Sequence, residues 1–191
     1  MYELKNIDFS YGDKPVLKDF SLTLPGRGVV CLFGASGLGK TTVLRLIAGL
    51  EKPKSGSVCG FENKRITFVF QEDRLLPWRT AKENVALALV GLPDADEKAE
   101  AVLSELGLES DVCRYPDEMS GGMCRRVAVA RALAPESDVI LADEPFTGLD
   151  EQNRRILASA FRKKAESELV VVVTHSEEEA TLLKAEAVYM K

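Results

Sequence analysis

Short, mainly apolar runs punctuate an otherwise mixed chain: Val29 to Phe33, Ile66 to Phe70, Val139 to Ala142 and Leu169 to Val173. Each is too short for a helix and lacks polar alternation, which predicts strands buried on both faces of a parallel sheet. Between them the period lengthens. Val43, Leu46, Ile47 and Leu50 fall at i, i+3, i+4 and i+7, predicting a helix soon after the first run. Thr80-Ala-Lys-Glu83 and Asp94-Ala-Asp-Glu97 read as capped helix starts, and Gly107 stands where a left-handed C-cap belongs, so residues 72–134 are expected to be mostly helical. Ser176 is placed to cap one more helix after the last run. Near the N-terminus, Phe20, Leu22 and Leu24 alternate with polar neighbours before a turn at Pro25-Gly26, the pattern of a half-exposed antiparallel strand. The fold class is therefore α/β, without internal repeats or a low-complexity linker.

Every apolar run ends on chemically pointed residues. Val29 to Phe33 is followed by Gly34 and a glycine-rich loop, Ile66 to Phe70 by Gln71, Val139 to Ala142 by Asp143-Glu144, and Leu169 to Val173 by Thr174-His175. Ligands of open parallel sheets gather beyond the carboxyl ends of the strands, so these distant endings are expected to meet at one site.

Gly34-Ala35-Ser36-Gly37-Leu38-Gly39-Lys40-Thr41 matches G-x-x-x-x-G-K-[ST] between an apolar strand and an amphipathic helix, the context that a phosphate-binding P-loop requires. Glycines let backbone N–H groups turn inward around phosphate oxygens, and the helix beginning near Lys40 points its positive end at the same anion. Lys40 is expected to reach the β- and γ-phosphates of ATP, Thr41 to ligate Mg²⁺, and Thr42 to assist at a phosphate. Asp143 and Glu144 would be costly to bury without a counter-ion. A metal supplies one: Asp143 fits the carboxylate that supports Mg²⁺, leaving Glu144 to polarise a water for attack on the γ-phosphorus. His175 should emerge near the phosphates and hydrogen-bond a γ-phosphate oxygen. The alternatives at these positions are a solvated strand end for the acids and a plain loop residue for the histidine.

With 191 residues, 46% of them hydrophobic, the chain can bury the core of one compact domain. A net charge of −5, from 25 basic against 30 acidic residues, argues against electrostatic coating of nucleic acid. The basic clusters Arg125-Arg126, Arg154-Arg155 and Arg162-Lys163-Lys164 lie on helical patterns and are expected on solvated faces without a binding role. Cys31, Cys59, Cys113 and Cys124 are scattered, with no C-x-x-C pair and a single histidine in the chain, which suggests reduced thiols in the cytosol and argues against a zinc site. The N-terminus Tyr2-Glu3-Leu4-Lys5 lacks the basic-then-apolar pattern of a signal peptide, and Val85 to Leu92 is too short to span a bilayer. Membrane contact is therefore expected to run through another chain.

The segment Met119-Ser120-Gly121-Gly122-Met123, followed by Cys-Arg-Arg-Val-Ala-Val-Ala-Arg-Ala-Leu, resembles the L-S-G-G-Q signature of ABC transporter nucleotide-binding subunits and the helix that carries it. That resemblance extends over essentially the whole chain. Gln71 to Trp78 is similar to bacterial importer subunits of the nitrate, sulfonate and taurine group. The resemblance implies a P-loop NTPase (RecA-like) core with a mostly parallel sheet, an N-terminal antiparallel β-subdomain and an inserted helical subdomain. Residues 1–71 and 135–191 would form the nucleotide-binding core, and 72–134 the helical part carrying the signature, within one ATPase domain. It further implies ATP hydrolysis coupled to transport, with two copies arranged head to tail so that Ser120, Gly121 and Gly122 of one clasp ATP bound to the other. Individual positions carry over: Tyr11 as the aromatic stacked on adenine, Gln71 as the Q-loop residue near Mg²⁺, Asp150 as the D-loop acid and His175 as the switch histidine. Read on its own, Tyr11 is better taken as a plain surface or core aromatic, and Asp150 reads equally well as an N-cap for the helix containing Ile156 and Leu157. Trp78 is either a contact for a membrane partner or a packing residue.

The implied partners are transmembrane permease subunits on separate chains and an extracytoplasmic substrate-binding protein in the full complex, with no nucleic acid. The implied location is the cytoplasmic face of the inner membrane. Departures from the pattern are Met123 for the signature glutamine, Thr147-Gly148 for the usual Ser-Ala, and a chain end soon after His175. A thioether has no amide donors, so a weaker trans contact and slow turnover are expected. With so early an end, no regulatory domain is expected. A soluble ABC ATPase acting on ribosomes or DNA is the competing reading. A kinase or GTPase would leave the Ser-Gly-Gly segment and the histidine unexplained.

Overall fold

The computed structural model describes residues 1–190. Its centre is a five-stranded parallel sheet of β3 (Gly28–Phe33), β5 (Ile66–Val69), β6 (Val139–Asp143), β7 (Leu169–Val173) and β8 (Glu186–Tyr189), in the order β5-β6-β7-β3-β8. Four of these are the apolar runs. The fifth, β8, is partly exposed at the sheet edge, so it lacked the hydrophobic run that marks a central strand. A second, antiparallel sheet has the order β2-β1-β4, formed by β1 (Tyr2–Tyr11), β2 (Lys14–Leu24) and β4 (Ser55–Cys59).

The parallel strands feed two cores because successive side chains point to opposite faces. Val170 and Val172 of β7 join Cys31, Ile140 and Ala142 on one face, under the helices α2 (Ala81–Ala86), α3 (Ala95–Glu105), α4 (Gly121–Leu133) and α5 (Glu151–Lys164). Leu169, Val171 and Val173 join Val30, Leu32 and Leu141 on the other face, against α1 (Lys40–Ile47) and the antiparallel sheet. One strand thus holds both halves of the molecule in register.

Helix starts follow their caps closely. Thr80 and Glu83 form a reciprocal capping box at α2, and Ser176 accepts from the Glu179 N–H to open α6 (Glu177–Leu183). Gly107 takes a φ of +70° after α3. Asp94 departs from expectation: it precedes α3 but makes no side-chain cap, pairing with Lys98 at 3.2 Å instead. Helix α1 also ends one turn before its apolar pattern does, at Ile47, leaving Leu50 57% exposed. The larger correction concerns Arg125 and Arg126, which are 3% and 9% exposed and buried within the fold, not on a solvated face. Trp78 is 68% exposed, which removes the core-packing alternative. Among the described residues no helix is long and apolar enough to cross a membrane.

Candidate functional site

Strand β3 ends at Phe33 and releases the chain into the loop 34–39 directly before α1. Gly39 has a φ of +87°, and a Cβ there would lie 2.9 Å from both Val16 and Leu17 of β2, so only glycine lets the loop fold beneath the antiparallel sheet. Lys40 is 6% exposed, and its ammonium donates to the carbonyls of Gly34 at 2.8 Å and Ala35 at 2.9 Å. Two of its three donors thus shape the loop. A Cβ at Gly34 would lie 3.1 Å from the Leu38 side chain, so the loop closes tightly at this position. Gly39 to Thr42, at the N-terminus of α1, line the cleft, and no side chain caps that end of the helix, which suits an anion.

Strand β6 delivers the acids. Asp143 pairs with Val173 across the ladder and is 3% exposed. Burial raises its carboxyl above the ordinary value, and the charge of Glu144 adds to this; the Thr41 hydroxyl bond, Arg45 and Arg125 oppose it. Glu144 takes a left-handed φ of +48°, rare for a non-glycine residue, held by its N–H to the Val173 carbonyl at 2.9 Å. This turn aims its carboxylate at the cleft, where His175 Nε2 lies 3.1 Å from Glu144 Oε1. The histidine loop is fixed by Thr174, whose hydroxyl donates to the buried Glu179 carboxylate and accepts from the Ser176 N–H at 3.0 Å.

A cleft of about 350 Å³ results, lined by Tyr11, Ser36, Gly37, Gly39, Lys40, Thr41, Thr42, Gln71, Glu144 and His175 together with Lys14, Pro15 and Val16 of β2. Tyr11 is 42% exposed at its rim, edge-on to Phe9, and its hydroxyl accepts from Arg45 at 3.2 Å. Asp143 sits deeper, lining a small adjoining pocket with Thr41 and Gln71. A buried carboxylate, a hydroxyl and an amide oxygen form an all-oxygen donor set that suits Mg²⁺.

Ser120, Gly121, Gly122 and Asp150 stand outside this cleft. Ser120 caps α4, accepting from the Met123 N–H at 3.3 Å, and the Met123 side chain packs on the core. A Cβ on Gly122 would lie 3.3 Å from the Gly148 carbonyl, so the signature and the 147–150 loop form one surface. Gly148 has a φ of +77°, which the Thr-Gly departure accommodates. Asp150 does cap α5, accepting from the Asn153 N–H at 2.8 Å. Sequence reading missed Arg45, Lys14 and Arg125. Arg45 lies one turn from Thr41 on α1 and was within reach of periodicity; Lys14 and Arg125 carried no local signal.

The family model described as ABC transporter matches residues 17–147. An aliphatic sulfonates import ATP-binding protein of Streptomyces avermitilis is 40% identical over 94% of this chain and 72% of its own length. Its counterpart in Corynebacterium glutamicum is 41% identical over 91% and 73%. Two solved dimeric structures of the ATP-binding cassette MJ0796, one titled a bacterial ABC transporter cassette and the other a post-hydrolysis state bound to ADP and Pi, match with a TM-score of 0.88 at 32% identity. They cover 100% of this chain and 94% of theirs. These relatives favour the transport reading over an ATPase acting on ribosomes or DNA. With the P-loop, the paired acids and the histidine gathered at one sheet end, the chain belongs to the ABC transporter family as an ATP-binding, ATP-hydrolysing subunit.

Proposed function

We propose that this chain powers an importer by binding ATP between two head-to-tail copies and hydrolysing it beneath a transmembrane partner. The observation that carries the reading is the convergence of Lys40, Thr41, Gln71, Glu144 and His175 on one cleft from separate strand ends. Lys40 and the loop N–H groups hold the β- and γ-phosphates, Tyr11 stacks on adenine, and Thr42 supports a phosphate oxygen. Thr41, Asp143 and Gln71 would hold Mg²⁺, which neutralises charge developing between the β- and γ-phosphates. Glu144 accepts a proton from the attacking water, and His175 steadies the γ-phosphate.

Ser120, Gly121 and Gly122 do not line their own cleft, and in this reading they serve the partner copy, the N-terminus of α4 taking the γ-phosphate held by the other chain. Asp150 and the 147–150 loop border the same contact. Residues 72–134 form the helical subdomain that carries the signature. Exposed Trp78 is its contact with a permease subunit. The complete importer includes an extracytoplasmic substrate-binding protein, works from the cytoplasmic face of the inner membrane, and carries aliphatic sulfonates, the cargo in its relatives' names.

Lys40→Ala tests the central claim. It removes a charge-assisted contact to phosphate and the brace on Gly34 and Ala35, so ATP affinity measured by calorimetry is expected to fall by roughly 10- to 100-fold. Unchanged affinity would show that the cleft is not the nucleotide site.

A further inference from the structure

Arg125 lies on α4 five residues after Ser120, yet its guanidinium is buried under the hydrolytic end of the sheet. It donates to the Phe70 carbonyl at 2.7 Å, the Gln71 carbonyl at 3.3 Å and Asp73 Oδ1 at 3.0 Å. Its other edge donates to the carbonyls of Asp143 at 2.9 Å, Glu144 at 2.8 Å and Pro145 at 3.1 Å. One rigid, planar fork therefore ties three segments together: the signature helix, the turn carrying Gln71 and the turn carrying both acids. Every tether but the one to Asp73 ends on a backbone carbonyl, so the fork fixes where Gln71, Asp143 and Glu144 project without touching their functional atoms.

Arg131, further along the same helix, provides an internal contrast. It donates to the carbonyls of Asp73 at 2.7 Å and Arg74 at 2.8 Å, and makes no bond to the acid-bearing turn. Both arginines anchor the 70–74 segment to α4; Arg125 alone of the two spans to the catalytic acids.

We propose that Arg125 is a positioning residue, which holds Gln71, Asp143 and Glu144 in register with the signature helix so that α4 and the hydrolytic centre move as one unit. The left-handed turn at Glu144 makes the need concrete: its N–H is held by β7, and its carbonyl by Arg125. Without the guanidinium, that turn is free to relax and misdirect the carboxylate. Lysine cannot stand in fully, because one ammonium reaches either the Gln71 side or the acid side, whereas the fork reaches both. The inference rests on the reading of this chain as an ATPase with Glu144 as base.

The test compares full-length wild type, Arg125→Met, Arg125→Lys and Arg131→Met by ATP calorimetry and steady-state phosphate release. Misplacement of catalytic groups by about an ångström costs on the order of 100-fold, so Arg125→Met is expected to lose about that factor in kcat. It should still bind one ATP per chain with Kd within about threefold, because the P-loop contacts are intact. Arg125→Lys should restore thermal stability but recover kcat only in part. Arg131→Met should lose stability while keeping kcat within about threefold. A structural role alone would lower ATP-binding stoichiometry and kcat together, and Arg131→Met would match Arg125→Met; either result overturns the proposal. If Arg125→Met does not fold, Arg125→Lys decides, and wild-type kcat in it is the refuting result. Wild-type protein that binds ATP without hydrolysing it refutes the underlying ATPase reading as well, a failure visible before any variant is made.

Discussion

Glu144→Gln isolates one atom's chemistry in a fixed frame. The turn is held by main-chain bonds, from the Glu144 N–H to Val173 at 2.9 Å and from Arg125 to the Glu144 carbonyl at 2.8 Å, so an isosteric amide should leave the fold intact. What disappears is a proton acceptor facing the cleft and one negative charge. Loss of a positioned general base costs roughly 10²- to 10⁴-fold, which is about 3–5 kcal/mol of barrier at roughly 1.4 kcal/mol per tenfold. The missing charge acts in two further ways. It relieves repulsion of the γ-phosphate, so the ATP-bound dimer should accumulate. It also removes one cause of the raised Asp143 carboxyl, so Asp143 should ionise at lower pH in the variant. The sign is fixed: a carboxyl raised above its ordinary 3.8 disfavours the charged form in the fold, so the metal-free chain loses stability as pH rises through that raised range. Magnesium-supported ATP binding, which needs the carboxylate, should weaken as pH falls through the same range, and at lower pH in Glu144→Gln. Single-turnover phosphate release, with gel filtration in saturating ATP and Mg²⁺, reads both outcomes. A rate within about tenfold of wild type would refute Glu144 as the base, and a monomeric variant under those conditions would refute the charge argument.

Two further outcomes probe the frame around the site. Asn84 is fully buried, accepting from the Leu76 N–H at 2.8 Å and donating to the carbonyls of Leu76, Arg79 and Thr80, so it closes the loop that presents Trp78. Asn84→Leu strands these groups at a cost of about 3 kcal/mol, lowering Tm by roughly 6–12 °C for a chain of this size; a shift under about 2 °C would show that the loop does not depend on it. Burial pushes the Cys31 thiol from its ordinary 9.0 up to about 12, whereas Cys113 is exposed. A thiolate-selective reagent at pH 8–9 should therefore label Cys113 and spare Cys31 until the protein is denatured; native labelling of Cys31 would mean that β3 opens readily.

The parts of this protein legible in the chain are those written locally. The P-loop is a contiguous string whose glycines and Lys40 report their own backbone geometry, and the caps at Thr80, Gly107 and Ser176 are encoded within a turn of the helices they bound. The central strands announced themselves because burial on both faces demands unbroken apolar side chains. Where burial is partial, the signal fades: β8 was unseen, and the apolar period of α1 ran on to an exposed Leu50. Resemblance supplied what spacing could not, notably the roles proposed for Tyr11, Asp150 and Ser120.

Long-range placement was decided only in three dimensions. A doubled arginine on a helix reads as a solvated face, yet Arg125 is buried because the ends of β5 and β6 present it with backbone carbonyls from residues 70–71 and 143–145, far away in sequence. Likewise the 3.1 Å approach of His175 to Glu144 and the close fit of Gly39 beneath Val16 depend on which strands become neighbours. Sequence settles which chemistry is carried, because side-chain identity and local turns are set by adjacent residues. Tertiary structure settles which groups meet, because the compensation for burying a charge comes from partners that only folding brings within reach.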